Sequence, residues 1–146
     1  MAIGARRDVT VFEGLKRHVA DAGLIASGSI SWTAAEDLRV EKKTAEIVMP
    51  DMSLHIDQLF LLAIQKPPDA TAGDLAVNTY NIIKVDGTTA MDTLHTTHTV
   101  EQIADTITCR NFIIQGLFTG EGKIKLGARF AADSGAMTIH WRLYRL

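Results

Sequence analysis

The sequence predicts an all-β fold, a two-sheet antiparallel sandwich or jelly roll of about eight strands with one short N-terminal helix. Near the C-terminus, residues 123–130 and 137–146 alternate apolar and polar side chains, which is the period of a half-buried strand. Upstream, short apolar runs are divided by turn residues at intervals too short for crossover helices. A partly closed barrel is the second choice, because one sequence does not give the order of strand pairing.

The N-terminal residues differ from the rest of the chain. Residues 1–8 are predicted to form an arm whose main charge feature is the pair Arg6 and Arg7. Residues 9–146 are predicted to form a single β-sandwich domain, which is an ordinary size for one hydrophobic core.

A helix is predicted over about 11–22. Thr10 and Glu13 fit a capping box, in which each side chain satisfies a backbone N–H group of the first turn. Apolar residues follow at helical spacing. Gly14 weakens this prediction, and a strand over 8–12 is the alternative.

Strands and turns are predicted for the remaining chain. Pro50, the loop 66–74 and the pair Asp86-Gly87 are the clear breaks. Residues 99–104 fit either a helical turn or the continuation of a strand. The candidate strands cover residues 29–34, 38–49 with an interruption near Lys42 and Lys43, 53–65, 76–84, 92–99, 112–118, 123–130 and 137–146.

Turn residues separate the last three candidate strands, so we expect an antiparallel meander at the end of the chain. Residues 59–64 are apolar on both faces, which predicts a cover over the outer face, either the N-terminal helix or another subunit. This run of six residues is too short to span a bilayer, and the N-terminus lacks the apolar segment of a secretory signal. We expect no membrane association.

Composition and charge narrow the functional classes. The formal net charge of −2 gives no basic surface, so no nucleic-acid partner is expected. Cys109 is the single cysteine and has no histidine near it in sequence, which favours a small core residue over a nucleophile. No stretch carries a catalytic signature. We therefore expect a protein that is not an enzyme and that uses no cofactor.

Two groups of residues resemble a site. His95 and His98 are three positions apart on a candidate strand, so both rings reach one metal only if the strand bulges. A metal would need a third ligand, for which Asp92 is a loose candidate, and solvent-facing polar residues are the favoured interpretation. On the last candidate strand, His140, Arg142 and Tyr144 share the outer face, which predicts a ligand surface, a subunit contact or a solvated face.

Residues 38–50, 53–64 and 123–146 together resemble the small jelly-roll proteins of tailed bacteriophage particles, and most of all the capsid decoration, or cement, proteins. The resemblance implies a virion structural protein, assembled in the host cytoplasm, that binds the outside of the shell. Such proteins are often trimers and clamp neighbouring subunits of the major capsid protein. The expected contacts with the shell or with other subunits are Arg6, Arg7, Pro67, Pro68, Asp69, Arg129, His140, Arg142 and Tyr144.

Three other classes stay open. A phage tail or connector component would also suit a sandwich with a packed helix. A carbohydrate-binding β-sandwich would need exposed aromatic residues, and most aromatic positions here are predicted to be inside. A cupin-like metal enzyme is disfavoured, because cupins place two histidines one residue apart and a glutamate a few residues later.

Overall fold

A computed structural model describes residues 23–50, 59–84, 86–103, 105–115 and 122–146. The predicted arm, the predicted helix, Arg6 and Arg7 lie outside the described residues. The described part contains nine strands and no helix, and none of it forms a helix suited to crossing a membrane. The strands are β1 (Leu24–Trp32), β2 (Lys42–Lys43), β3 (Ile47–Val48), β4 (Phe60–Lys66), β5 (Leu75–Lys84), β6 (Ala90–Val100), β7 (Thr108–Ile114), β8 (Lys123–Phe130) and β9 (Met137–Arg145).

The strands form two antiparallel sheets, which confirms the predicted all-β sandwich. One sheet has the order β1-β9-β4-β7, and the other has the order β2-β8-β5-β6 with β3 paired to β8. Strands that follow one another in the chain occupy matching positions in opposite sheets: β1 with β2, β8 with β9, β4 with β5 and β6 with β7. The chain therefore winds around the core as a jelly roll.

The core lies between the two sheets, because the apolar side chains of each sheet point towards the other. Trp32 and Phe130 pack edge to face across it, with ring centroids 5.5 Å apart and an interplanar angle of 71°. The other large side chains in the core include Phe60, Leu62, Ile64, Leu75, Val77, Ile124, Leu126, Ile139, Trp141 and Leu143.

The predicted C-terminal meander is wrong. Strands β7 and β9 lie in the four-stranded sheet, whereas β8 lies in the five-stranded sheet. Strands β8 and β9 therefore face each other across the core and do not pair by hydrogen bonds. Alternation identifies the face of a strand that is buried but not the strand that pairs with it, and a turn joins neighbouring strands in either arrangement.

The predicted strand over 38–49 is also wrong, because only the short strands β2 and β3 form there. Asp37 accepts a hydrogen bond from the backbone N–H of Arg39 at 2.9 Å, and the Val40 N–H donates to the Asp37 carbonyl at 3.1 Å. Local bonds of this kind organise residues 37–40. Beyond them, the Thr44 N–H donates to the Leu126 carbonyl and the Met49 N–H to the Gly122 carbonyl, so the segment follows β8 with irregular pairing. Lys42 and Lys43, predicted as an interruption, are the paired residues, opposite Ala128 and Gly127.

Several strand ends differ from the prediction. Strand β1 begins at residue 24, and β7 begins at residue 108, because both pair along their length with strands of the same sheet. Strand β6 continues to residue 100, and residues 101–103 form no helical turn. The first part of the predicted strand 53–65 lies outside the described residues.

The turn predicted at Asp86-Gly87 is confirmed. The Asp86 carboxylate accepts hydrogen bonds from the backbone N–H groups of Thr89 at 2.6 Å and Thr88 at 2.9 Å, and these bonds lower the pKa of Asp86. Gly87 has a φ of 79°, a conformation that glycine adopts without steric cost.

Candidate functional site

A groove of about 500 Å³ lies on the outer face of the four-stranded sheet. That volume is within the range of small-molecule binding sites. All four strands of the sheet contribute to the groove, so residues far apart in sequence meet there. The groove is lined by Ser27, Gly28, Ser29, Ala63, Ile64, Gln65, Cys109, Asn111, His140, Trp141 and Arg142.

Strand register arranges the outward side chains of the groove in two rows. Neighbouring strands are ~4.8 Å apart, so four strands give each row a width of roughly 14 Å. Directly opposed side chains have Cβ atoms about 5 Å apart and can contact one ligand together. The first row is Ser29, His140, Gln65 and Cys109, and the second is Ser27, Arg142, Ala63 and Asn111.

Small side chains make this face concave. Ser27 and Ser29 keep the surface low along β1, and Ala63 does the same in the middle of the sheet. The longer side chains of His140 and Arg142 stand between these low positions, and both are exposed. The shape of the groove therefore depends on the sequence of small and large outward-facing side chains on β1, β4 and β9.

The polar groups of the groove are suited to hydrogen bonding. Arg142 offers five N–H donors, Gln65 and Asn111 each offer a donor and an acceptor group, and the serines offer hydroxyls. Among the described residues, none forms a hydrogen bond or an ion pair with the side chain of Arg142 or His140. Cys109 and His140 are two strands apart, roughly 9–10 Å, so they do not form a thiol–imidazole pair within hydrogen-bond reach.

Cys109 and Tyr144 differ from their predictions. Cys109 is exposed, because the outward parity of the edge strand β7 places it in the groove and not in the core. Tyr144 shares the outward parity of His140 and Arg142 but is only 7% exposed. Its cross-strand partners are Leu24 and Leu61, so this end of the outer face is apolar. Tyr144 is thus not an exposed contact residue.

His95 lies at a bulge in the edge strand β6, where the register shifts between Thr79 and Tyr80 of β5, and His98 pairs with Val77 farther along the strand. His98 is partly buried and stacks on Phe112 with ring centroids 4.6 Å apart, which corrects its prediction as solvent-facing. The His95 ring donates through Nε2 to the Gln115 carbonyl at 3.0 Å. Burial, and then the charge of His95, lower the pKa of His98.

Neither histidine belongs to a metal centre in the described ranges, where no group of three or more potential ligands occurs. Asp92, the loose third candidate, accepts hydrogen bonds from Lys43 at 3.0 Å and from Lys125 at 3.4 Å. His95 and His98 instead join the two sheets along one edge of the sandwich.

The outer face of the five-stranded sheet carries a paired polar network. Tyr80 donates its hydroxyl to Glu41 at 2.7 Å, and the Asn78 side-chain amide donates to the same carboxylate. Burial and Glu41 raise the pKa of Tyr80 to about 12. Lys43 lies over the Tyr80 ring, 4.2 Å from its centroid. Arg129, a predicted contact residue, is exposed on this sheet.

The loop 66–74 is partly internal. Asp69 accepts hydrogen bonds from the N–H groups of Thr71 at 2.9 Å and Ala72 at 3.0 Å and from the Ser134 hydroxyl at 2.7 Å, so its carboxylate organises the loop. Pro68 is exposed and Pro67 is half-buried. A second groove, of about 460 Å³, lies beside the end of this loop and is lined by Arg39, Asp74, Ala76, Thr99, Arg129, Phe130 and Ala131.

No family model matches the chain, and no curated protein is significantly similar to it. The crystal structure of tripeptidyl peptidase 2 is 11% identical over 80% of this chain, with a TM-score of 0.44. TmCBM61 in complex with beta-1,4-galactotriose is 13% identical over 85% of this chain, with a TM-score of 0.41. The aligned part spans 9% of the peptidase and 68% of TmCBM61. Neither is a capsid decoration protein, and that resemblance stays a prediction.

Proposed function

We propose that this chain is a non-catalytic binding module that binds a carbohydrate in the groove on its four-stranded sheet. The observation that carries the proposal is the pair of cross-strand rows, which present hydroxyl, amide, guanidinium and imidazole groups side by side on a concave surface. Fold alone does not imply this function, because jelly rolls occur in capsid, lectin and cupin proteins alike.

Carbohydrates match this surface because their hydroxyls both donate and accept hydrogen bonds. Gln65 and Asn111 have the same dual character, and Ser27 and Ser29 add hydroxyls on the opposite side of Arg142 and His140. The two rows are roughly 7 Å apart along the strands, so a ligand longer than one small ring contacts both rows. Ala63 supplies the apolar part of the floor.

The sequence-based requirement for exposed aromatic residues is not met by the outward side chains of this groove. His140 is the one aromatic heterocycle among them, and Trp141 borders the groove while its side chain is buried. We therefore expect polar recognition with modest affinity, a dissociation constant on the order of 0.1–1 mM, because much of the hydrogen-bond energy is offset by desolvation.

The single cysteine provides a direct test of occupancy. Cys109 is exposed in the first row of the groove, so a bound oligosaccharide should slow its alkylation by a maleimide. A panel of neutral and acidic oligosaccharides would be screened by the alkylation rate and then by calorimetry. Asn111→Ala should weaken binding about tenfold, as expected for a lost hydrogen bond of about 1.4 kcal/mol.

Thr97→Ala is the matched control, because Thr97 is exposed on the outer face of the other sheet. It should leave both the alkylation rate and the binding unchanged. If no oligosaccharide slows alkylation of Cys109, or if both variants weaken binding equally, the groove is not the carbohydrate site.

A second candidate function is the virion structural role, with the major capsid protein or other copies of this chain as partners. Large apolar side chains are exposed at the edge where β6 and β7 lie next to each other, namely Met91 at 51%, Leu94 at 55% and Ile113 at 50%. Exposed apolar residues of this size suit a subunit contact. This candidate also places the protein in the virion.

Light scattering over a range of concentrations tests the second candidate. We expect the wild type to form oligomers, with trimers identified by their mass, and Ile113→Asp to lower the oligomer fraction. Val48→Asp is the control, since Val48 is exposed on β3 at the other side of the five-stranded sheet. A monomer at every concentration that also fails to bind capsids would contradict this role.

A further inference from the structure

We infer that the groove selects a carbohydrate bearing a carboxylate, such as a uronic acid oligomer, with Arg142 as the residue that recognises the charge. This inference rests on the proposed function and adds the chemical class of the ligand. It depends on the position of Arg142, the absence of acidic residues among the described residues that line the groove, and the uncharged donors and acceptors around it.

Arg142 occupies the interior of the groove. Strand β9 has a neighbour on each side, and Arg142 is opposed by Ser27 on β1 and by Ala63 on β4. Both opposed side chains are short, so they leave space around the guanidinium. Arg142 is exposed, and no described residue forms an ion pair with it.

The positive charge of Arg142 is not neutralised by the described side chains that line the groove. Among the described residues that line the groove, none is an aspartate or a glutamate, so a ligand anion meets no like charge from them. Several other basic side chains of the described part have acidic partners, as Arg39 has Asp37 at 2.8 Å and Lys42 has Glu36 at 2.6 Å. The field in the groove therefore favours an anionic ligand.

The geometry of arginine favours a planar carboxylate. A guanidinium presents parallel N–H groups that bind both oxygens of one carboxylate, which an ammonium group cannot do. Ser27 lies opposite Arg142, Asn111 lies two strands away in the same row, and Gln65 lies in the next row, so they provide partners for the hydroxyls of the ligand. A free carboxylic acid would leave most of these groups without a ligand partner.

The test compares ligands that differ only in charge. Tri-galacturonate and its methyl ester share one carbohydrate backbone, and galacturonate monomer and acetate report binding of the carboxylate alone. Binding would be measured by protection of Cys109 and by calorimetry at 20 and 300 mM salt. We expect the acid trimer to bind at least tenfold more tightly than the ester, with a preference that decreases at high salt, and acetate to give no protection.

Variants assign the preference to one residue. Arg142→Gln should bind acid and ester equally, because glutamine keeps hydrogen-bonding groups but carries no charge. Arg142→Lys should retain a smaller preference, because lysine keeps the charge and loses the paired N–H geometry. Arg129→Gln is the control and should behave as the wild type, since Arg129 is exposed on the other sheet. Circular dichroism of each variant checks the fold.

The outcomes separate the inference from the proposed function. Equal binding of acid and ester by the wild type, or a preference that persists in Arg142→Gln, overturns the inference while carbohydrate binding stands. Binding of acetate as tight as that of the trimer also overturns it, because the ligand is then a simple acid. If neither the trimers nor any neutral oligosaccharide protects Cys109, the proposed function fails together with the inference.

Discussion

Gly127 is a position where one added methyl group should disrupt a network without entering the core. A Cβ atom at Gly127 would lie 2.6 Å from Oε2 of Glu41 and 3.0 Å from Cε2 of Tyr80. Both distances are shorter than a normal non-bonded contact. The Glu41 carboxylate is also the acceptor for the Tyr80 hydroxyl and the Asn78 amide. Gly127→Ala should therefore push the carboxylate away from both donors.

The expected cost follows from the bonds that are lost. Hydrogen bonds to a charged group contribute about 1.5–3 kcal/mol each, and the half-exposed position of this network places them at the lower end of that range. Because Glu41 can turn into solvent and the donors can then bind water, we expect Gly127→Ala to lower the free energy of unfolding by about 2 kcal/mol. Urea denaturation should show a lower midpoint with an unchanged m-value.

A double-mutant cycle with Glu41→Ala tests the cause. Without the carboxylate, the new methyl group meets only the edge of the Tyr80 ring, and Gly127→Ala should cost less than about 1 kcal/mol. Spectroscopic titration adds a second readout, because the loss of Glu41 should lower the pKa of Tyr80 from about 12. An equal cost of Gly127→Ala in both backgrounds would refute the reasoning, since the strain would then lie in the backbone.

Two further predictions concern buried titratable groups. The pKa of His98 is lowered in the folded state. The wild type should therefore lose stability as the pH falls from about 6.5 through the folded-state pKa of His98, by up to about 1.4 kcal/mol per pH unit. His98→Gln should lose less stability in the same series of denaturation measurements. Lys66 is 0% exposed, its Nζ donates to Gln102 Oε1 at 2.6 Å, and burial lowers its pKa. Between the folded-state pKa of Lys66 and its unfolded value of about 10.4, the unfolded chain binds more protons than the folded one. Wild-type stability should therefore rise relative to Lys66→Met as the pH increases through that interval. A stability difference that stays constant with pH would contradict a desolvated Lys66.

Alternation in the sequence predicted the strands of the core well and their partners poorly. Residues 123–130 were predicted as a strand, and β8 has these bounds, because apolar residues occupy every second position from 124 to 130. The assignment of β8 and β9 to opposite sheets depends on long-range pairing with β5 and β4, which no local pattern encodes. The segment 38–49 failed for a different reason, since the Asp37 carboxylate satisfies the backbone locally.

The groove was predictable only in part. His140 and Arg142 were identified as outward residues of the last strand, and this is where the structure places them. Gln65 and Asn111 were missed, because their proximity to Arg142 follows from the strand order β9-β4-β7. The sequence offered one indication of the groove. Ala63 is a small residue in a run of large apolar ones, and at an outward-facing position it leaves a depression in the sheet surface.

The two outer faces of the sandwich explain why binding is assigned to one sheet. On the five-stranded sheet, the charged groups at its centre are matched, with Lys43 and Lys125 on Asp92 and the Tyr80 hydroxyl on Glu41. A ligand that bound there would have to break these hydrogen bonds and ion pairs, and its own interactions would only replace the free energy lost with them. On the four-stranded sheet, Arg142 has no such partner among the described residues, so a ligand carboxylate adds an interaction without removing one. A difference in pairing at the centre of each sheet, more than a difference in polarity, therefore distinguishes the proposed binding face from the face of the five-stranded sheet.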